Sequence, residues 1–333
     1  VDLAELAGRH LVSRRRTAAA TVLGTVREWR QLDSRDLTGS WAQLSPRMLA
    51  VVSAGQTAAA ATAQAYTDRA TTLQGAQPEP AGTIAASAFA GYASDGRDLA
   101  SLLYLPVIDT KEAIASGASV PEALGIGERK LRMLVDTEVA DAGRAADSVG
   151  IAANRALHGY IRTVSGGACG RCALLAGTRY AYNAGFQRHP HCHCTHVPIA
   201  GRGRHAAATL DPRAYFNSLT RAQQDKAFTV HGARAIRDGA DIGQVVNARR
   251  GVATVGSWVE NGVTHRGRLA RTGTTRISTT SFGTSRRSLA GRRLREAGAR
   301  GPQIRRLTPE AIYRLASTRD EAIQLLFRHG YIV

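Results

Sequence analysis

From Glu128 to Ala156 the apolar residues Leu131, Leu134, Val135, Val139, Ala142, Ala145, Val149 and Ala152 recur at three- and four-residue spacings, marking one face of a helix. At about 1.5 Å per residue such a helix runs more than 40 Å. It requires other helices along its length, and the sequence supplies them. Leu3, Leu6, Leu11, Val22, Val26 and Trp29 follow a similar rhythm, and Ser45-Pro46 opens a second stretch through Met48, Val51 and Val52 into an alanine run ending near Thr72. Alanine stripes let helices approach closely, so the reading is a hairpin or bundle that serves as scaffold rather than catalyst. Shorter helices are expected at Asp98–Leu103 and Lys111–Ala115, after a proline-bearing linker at 75–92.

After the long helix, Tyr160, Arg162 and Val164 alternate with Ile161 and Thr163 in the period of a strand that ends at Gly166-Gly167. There the chain's four cysteines begin: Cys169, Cys172, Cys192 and Cys194, interleaved with His189, His191, His193 and His196. Cys169-Gly170-Arg171-Cys172 is the C-x2-C turn that delivers two thiolates to one tetrahedral ion. An extended Cys192-His193-Cys194 places its two sulfurs on one face. Four thiolates, or three with His189 or His191 replacing one, close a structural zinc (Zn2+) site with no open position for water. A disulfide in a virion or extracellular particle, free buried thiols, and a Cys/His nucleophile are the alternatives the same residues leave open. Four thiols in one short stretch, rather than spread over a small core, favour a metal in a reducing compartment.

The chain has 333 residues and a formal charge of +18, with 44 Lys plus Arg against 26 Asp plus Glu. Such a balance calls for an acidic partner, nucleic acid or an acidic protein surface, rather than a membrane, and no apolar run approaches the roughly 20 residues that span a bilayer. The N-terminal residues, with Arg14, Arg15 and Arg16, do not read as a secretory leader. Between Arg202 and Arg306 there are 21 Lys and Arg against 6 Asp and Glu, most of the net charge. Arg286, Arg287, Arg292, Arg293, Arg305 and Arg306 stand in pairs with few aromatics nearby. They are candidates for contact with phosphates, without base preference, or with an acidic protein. Helices are expected at 212–219 and 221–239, the second opened by a Thr220/Gln223 capping box; the stretch 262–306 reads as irregular. Thr308-Pro309 and Thr318 with Glu321 start two final helices, and Gly330 ends the last.

The fold class is therefore mainly α, with a small α+β region around the cysteines, long alanine-rich helices and an irregular basic C-terminal segment. The divisions expected are an N-terminal helical region at 1–90, a core with the long helix and the Cys/His cluster at 91–201, and a basic region at 202–333.

The pieces "CGRCALLAGTRY" and "RHPHCHCTHVP" resemble the zinc-knuckle-like core of the MuF-like minor capsid (head morphogenesis) proteins of tailed bacteriophages, in the version found in phages of actinobacteria. The corresponding residues are Cys169, Cys172, Leu174, Gly177 and Tyr180, then His189-Pro190-His191-Cys192-His193-Cys194 with Pro198. "GARAIRDGADIGQVVNARRG" (232–251) and "TPEAIYRLASTRDEAIQLLFRHGYIV" (308–333) are similar to C-terminal parts of such proteins. The resemblance implies a virion protein inside the capsid near the portal vertex, made in the host cytoplasm. Its implied partners are the phage portal protein, the major capsid or scaffold protein and packaged double-stranded DNA. Family members are often fused to a protease or toxin domain, but no Ser-His-Asp arrangement stands out here.

The competing class is an enzyme of the phage head, a zinc- or Cys/His-dependent nuclease or capsid protease. No Asp or Glu occurs from Val149 to Thr209, so the cluster lacks the carboxylates that metal-assisted phosphodiester hydrolysis recruits, and no catalytic residue is assigned. A sequence-specific DNA reader lacks an evident recognition helix.

Overall fold

The computed structural model describes residues 2–164, 167–185, 192, 194–201, 211–255, 257–260, 263–266, 269–270, 273–274 and 277–333. The protein is mainly helical, with small sheets. It divides into two compact units, 1–166 with 176–209, and 167–175 with 210–333.

The first unit is built on five helices: α1 (Leu3–Trp29), α2 (Leu37–Ala61), α3 (Ala63–Leu73), α4 (Leu99–Ala115) and α5 (Val120–Ala153). Aspartates start three of them. The carboxylates of Asp2, Asp36 and Asp98 accept from the amides of Glu5, Gly39 and Ser101 at 2.7, 2.8 and 2.9 Å, satisfying donors that no helix turn can reach. The long helix therefore exists, and it begins earlier than its apolar period announces, with Pro121 in its first turn. α1, α2, α3 and α4 all pack on it. The core shared by α1, α2, α4 and α5 holds Trp29, Trp41, Met48, Val52, Leu103, Leu131, Val135 and Val139.

Pro46, expected to open a helix, lies inside one instead. Pro46 is well within α2 and Pro106 within α4. Pro46 leaves the Ala42 carbonyl without its helical donor, and the Ser45 hydroxyl donates to that oxygen at 3.4 Å. Asp36 is thus the true start of the second helix, and the two pieces expected around 98–115 are one.

α5 leads into β1 (Leu157–Val164), the middle strand of an antiparallel sheet with β2 (Arg179–Ala181) and β3 (Cys194–Ala200) on either side. In the register, Val164 faces Cys194, Arg162 faces His196 and Tyr160 faces Pro198. The expected strand is therefore present, and its last pair fixes the position of a cysteine.

The second unit begins with α6 (Gly170–Leu175) and continues with α7 (Pro212–Ser218), α8 (Arg221–Phe228), α9 (Val230–Arg237) and α10 (Ile242–Asn247). The Thr220/Gln223 capping box is complete. The single helix expected over 221–239 is broken at Thr229, whose φ of 69° no continuing helix can hold. Its hydroxyl accepts from the Gly232 amide at 3.2 Å and donates to Glu310 at 3.2 Å, which caps the new helix and offsets the unfavourable backbone. Then come β4 (Val252–Val255), the hairpin pair β5 (Ser257–Glu260) and β6 (Val263–Arg266), the short pair β7 (Leu269–Ala270) and β8 (Gly273–Thr274), and β9 (Ile277–Thr280). α11 (Leu289–Glu296), β10 (Arg306–Leu307), α12 (Pro309–Leu315) and α13 (Arg319–Arg328) complete the chain, with β9 between β4 and β10 in an antiparallel sheet. Within the stretch read as irregular, β6 to β9 and α11 are thus regular, the helix capped by Ser288 on the Gly291 amide at 3.1 Å. Thr308 and Thr318 cap the last two helices, and Gly330 ends α13 with a φ of 70°. Among the described residues no helix is long and apolar enough to cross a membrane.

Candidate metal centre

The cysteine geometry follows from two local devices. The C-x2-C turn places Cys172 on α6, and its amide donates to the Cys169 sulfur at 3.5 Å, the inward-turned amide that this spacing is built to provide. The start of β3 places Cys194, with Cys192 two residues before it, and their Sγ atoms are 2.9 Å apart. Cys172, Cys192 and Cys194 are all buried, and their three sulfurs lie within 4.8 Å of one another, close enough to hold one metal ion. Cys169 is half-buried and is not part of that three-sulfur group. His189, His191 and His193 lie outside the described residues. His196 is buried in β3, its ring 4.3 Å from that of Tyr160.

The surroundings suit anionic sulfur. A guanidinium nitrogen of Arg162, a side chain 1% exposed, lies 4.0 Å from the Cys192 sulfur. Arg144, held by Asp141, donates to the Cys192 carbonyl at 2.7 Å. Thiolate ligands carry more negative charge than a divalent ion cancels, so buried arginines beside them lower the cost of desolvation. The three sulfurs are therefore a donor set that suits a soft or borderline divalent metal ion.

A second polar cluster lies in the first unit, one that sequence reasoning missed. Asp147 of α5 is fully buried, and both of its oxygens take hydrogen bonds from Arg14 of α1. His10 Nε2 lies 3.2 Å from the same carboxylate, and the His10 ring stacks on Tyr66 at 3.7 Å. Tyr66 in turn donates to the His196 carbonyl at 2.6 Å, which ties α1, α3, α5 and β3 together. Gly143 makes room for the arginine, since a Cβ there would come within 2.9 Å of Arg14 Nε. Burial alone would raise the Asp147 carboxyl, but Arg14 and His10 outweigh it and hold the group below the usual carboxylate range. Burial lowers His10, against the pull of Asp147, so its ring favours the neutral form. This cluster also shifts the buried face of α5. Toward its C-terminal end Gly143, Ala146, Asp147 and Gly150 are buried, while Ala145, Val149 and Ala152, expected on the apolar face, are exposed.

The six candidate arginines divide. Arg286, Arg287 and Arg292 are exposed. Arg306 is not available for phosphate: it is fully buried, donates to the His329 carbonyl and to Gln244 at 3.0 Å each, and lies over the Tyr331 ring at 4.3 Å. Arg305 is half-buried and donates to the carbonyls of Gly251 and Thr279 at 2.6 and 3.0 Å. Arg293 donates to the carbonyls of Phe327 and Ile332, both at 2.7 Å. These three bind backbone carbonyls within the second unit, and Arg286, Arg287 and Arg292 are the exposed members of the six.

A family model described as VG15 protein, a phage and viral family, matches residues 6–222, a span that takes in most of α1, all of α2 to α7 and all four cysteines. No curated protein and no solved structure gives a match.

Proposed function

The chain belongs to the VG15 protein family of phage and viral proteins, and on that premise we propose that it is a structural minor capsid protein of a tailed phage, of the MuF-like kind. In this reading it sits at the portal on the head interior and contributes to head assembly and to DNA packaging or ejection. The observation that carries the reading is that the family match and the thiolate cluster fall on the same span. The part of the chain that marks it as viral is the part whose three buried sulfurs lie close enough to hold a metal ion, as the head-protein resemblance implies. The long helices of the first unit and the exposed Arg286, Arg287 and Arg292 are consistent with docking on other subunits and with phosphate contact. The proposed metal is Zn2+, bound by Cys172, Cys192 and Cys194 with Cys169 or one of His189 and His191 as the fourth ligand. It would fix the turn after β1 against the start of β3.

The test is quantitative mass spectrometry of DNA-filled heads purified from the phage that encodes the chain, before and after DNA release, together with co-purification with the portal protein. A few copies per head that travel with the portal are expected. Complete absence from purified heads, with the protein confined to the soluble lysate, would overturn the proposal.

A further inference from the structure

Beyond this reading, we propose that the groove between α11 and α13 is a docking site for an acidic, amphipathic segment of another protein. The groove has a volume of about 650 Å³, and its floor is apolar: Ala297 from the end of α11, Ile323 and Phe327 from α13, and Ile332 beyond it. Ile323 and Phe327 are one helical turn apart, so they form a stripe on the side of α13 away from its buried Ala322, Leu325 and Leu326. Phe327 is 47% exposed, one of the few large apolar side chains that this unit leaves in water among the described residues.

The ring is also held in place. The Arg293 guanidinium lies over it at 3.5 Å and is itself fixed by two carbonyls, those of Phe327 and Ile332. A preoriented aromatic under a fixed cation is the form of an interface anchor, because little rotamer freedom remains to be lost on binding.

Charge selects the occupant. The rim carries Arg293 and Arg328 against Glu296, and Arg292, Arg295 and Arg300 follow on or just past α11. A segment with Asp or Glu flanking two or three apolar residues matches both the floor and the rim. Duplex DNA matches the rim but offers nothing to the apolar floor, and a second copy of a chain with net charge +18 would set like charges together.

The experiment places the photo-cross-linking residue p-benzoylphenylalanine at position 327 of the full chain, produced in infected host cells, and maps the linked segment by mass spectrometry. The expected product is a segment of a different protein in which acidic residues flank apolar ones. Its synthetic peptide should bind the full chain, with affinity about tenfold or more weaker for Ile323→Ser and for Phe327→Ser. Both positions are partly solvent-exposed, so the variants should melt as the parent does. Glu296→Arg should tighten binding by removing the one repulsive rim charge. Links only to DNA or to another copy of the chain, a linked segment without acidic residues, or peptide binding indifferent to both serine variants would overturn the proposal. None of these outcomes depends on whether the protein is found in heads.

Discussion

His329 makes the second unit sensitive to acid. It is 2% exposed, and its Nδ1 accepts from the Leu307 amide at 3.3 Å, a bond that only the neutral ring can make. Burial lowers it first, and the neighbouring charges of Arg306 and Arg328 lower it further, from 6.5 to about 3. In the unfolded chain the ring takes up a proton as pH falls through its ordinary value, while in the folded unit it stays neutral. Acid therefore favours unfolding across the whole window from 6.5 down to about 3. At about pH 5 the linked loss is about 2 kcal/mol, a roughly thirtyfold rise in the opening equilibrium relative to neutral pH. Hydrogen exchange of peptides covering 304–333, corrected for intrinsic rates, reads that factor directly. His329→Asn keeps an acceptor for the Leu307 amide and removes the titration, so it should flatten the pH dependence. If the variant opens with the same pH slope as the parent, the ring is not the linked group and the reasoning fails.

The remaining expectations concern the other clusters. The purified chain should bind close to one zinc, and Cys172→Ser should lose it with loosening of 160–200 in hydrogen exchange; elemental analysis that finds no metal would refute the site. Asp147→Ala strands the Arg14 charge and should cost about 3–5 kcal/mol, whereas Arg14→Met with Asp147→Leu should recover most of that loss. Denaturation followed through Trp29 and Trp41 fluorescence measures both, and equal damage from the single and double variants would show that the pair is not coupled. Changing Arg286, Arg287 and Arg292 to Ser should lower the log–log salt slope of DNA binding by up to about 3 while both units stay folded, because each phosphate contact contributes about one counterion. An unchanged slope would move the basic contact elsewhere.

What the sequence made legible was local. The apolar rhythm of α5, the alternation of β1, the Thr220/Gln223 box and the Gly330 terminus each depend on residues within a few positions of one another, and the structure shows each of them. The helix start expected at Ser45-Pro46 lies at Asp36 instead, because the buried packing of α2 outweighs the one hydrogen bond that Pro46 removes. The Arg14–Asp147 pair was illegible for a different reason, since its partners are 133 residues apart. A signal was nonetheless present. Arg14 is in helical phase with Ala7, Leu11 and Ala18, all buried, and a charge on an apolar face implies a buried partner. At the cysteines, the C-x2-C turn and the extended C-x-C piece announced two sulfur pairs, but only the fold decides that Cys172 joins Cys192 and Cys194 more closely than Cys169 does.

The arginine content has an internal cause as well as an external one. Only three of the 44 basic residues are lysine, a bias that solvation or a general attraction to phosphate does not require, since lysine serves both. The buried guanidinia show what arginine supplies here. Arg14 spans both oxygens of Asp147, Arg144 reaches from Asp141 to the Cys192 carbonyl, and Arg306 joins the His329 carbonyl to Gln244 beneath an aromatic ring. Each is a two-ended contact that a planar fork can make and a single ammonium cannot. The first unit has many alanines, whose side chains bury little area, and such forks join its elements where apolar contact is thin. It follows that the net charge overstates the surface offered to partners. The partner-facing charge must be counted at exposed positions such as Arg286, Arg287 and Arg292, and substitutions at the buried forks will be read in stability before they are read in binding.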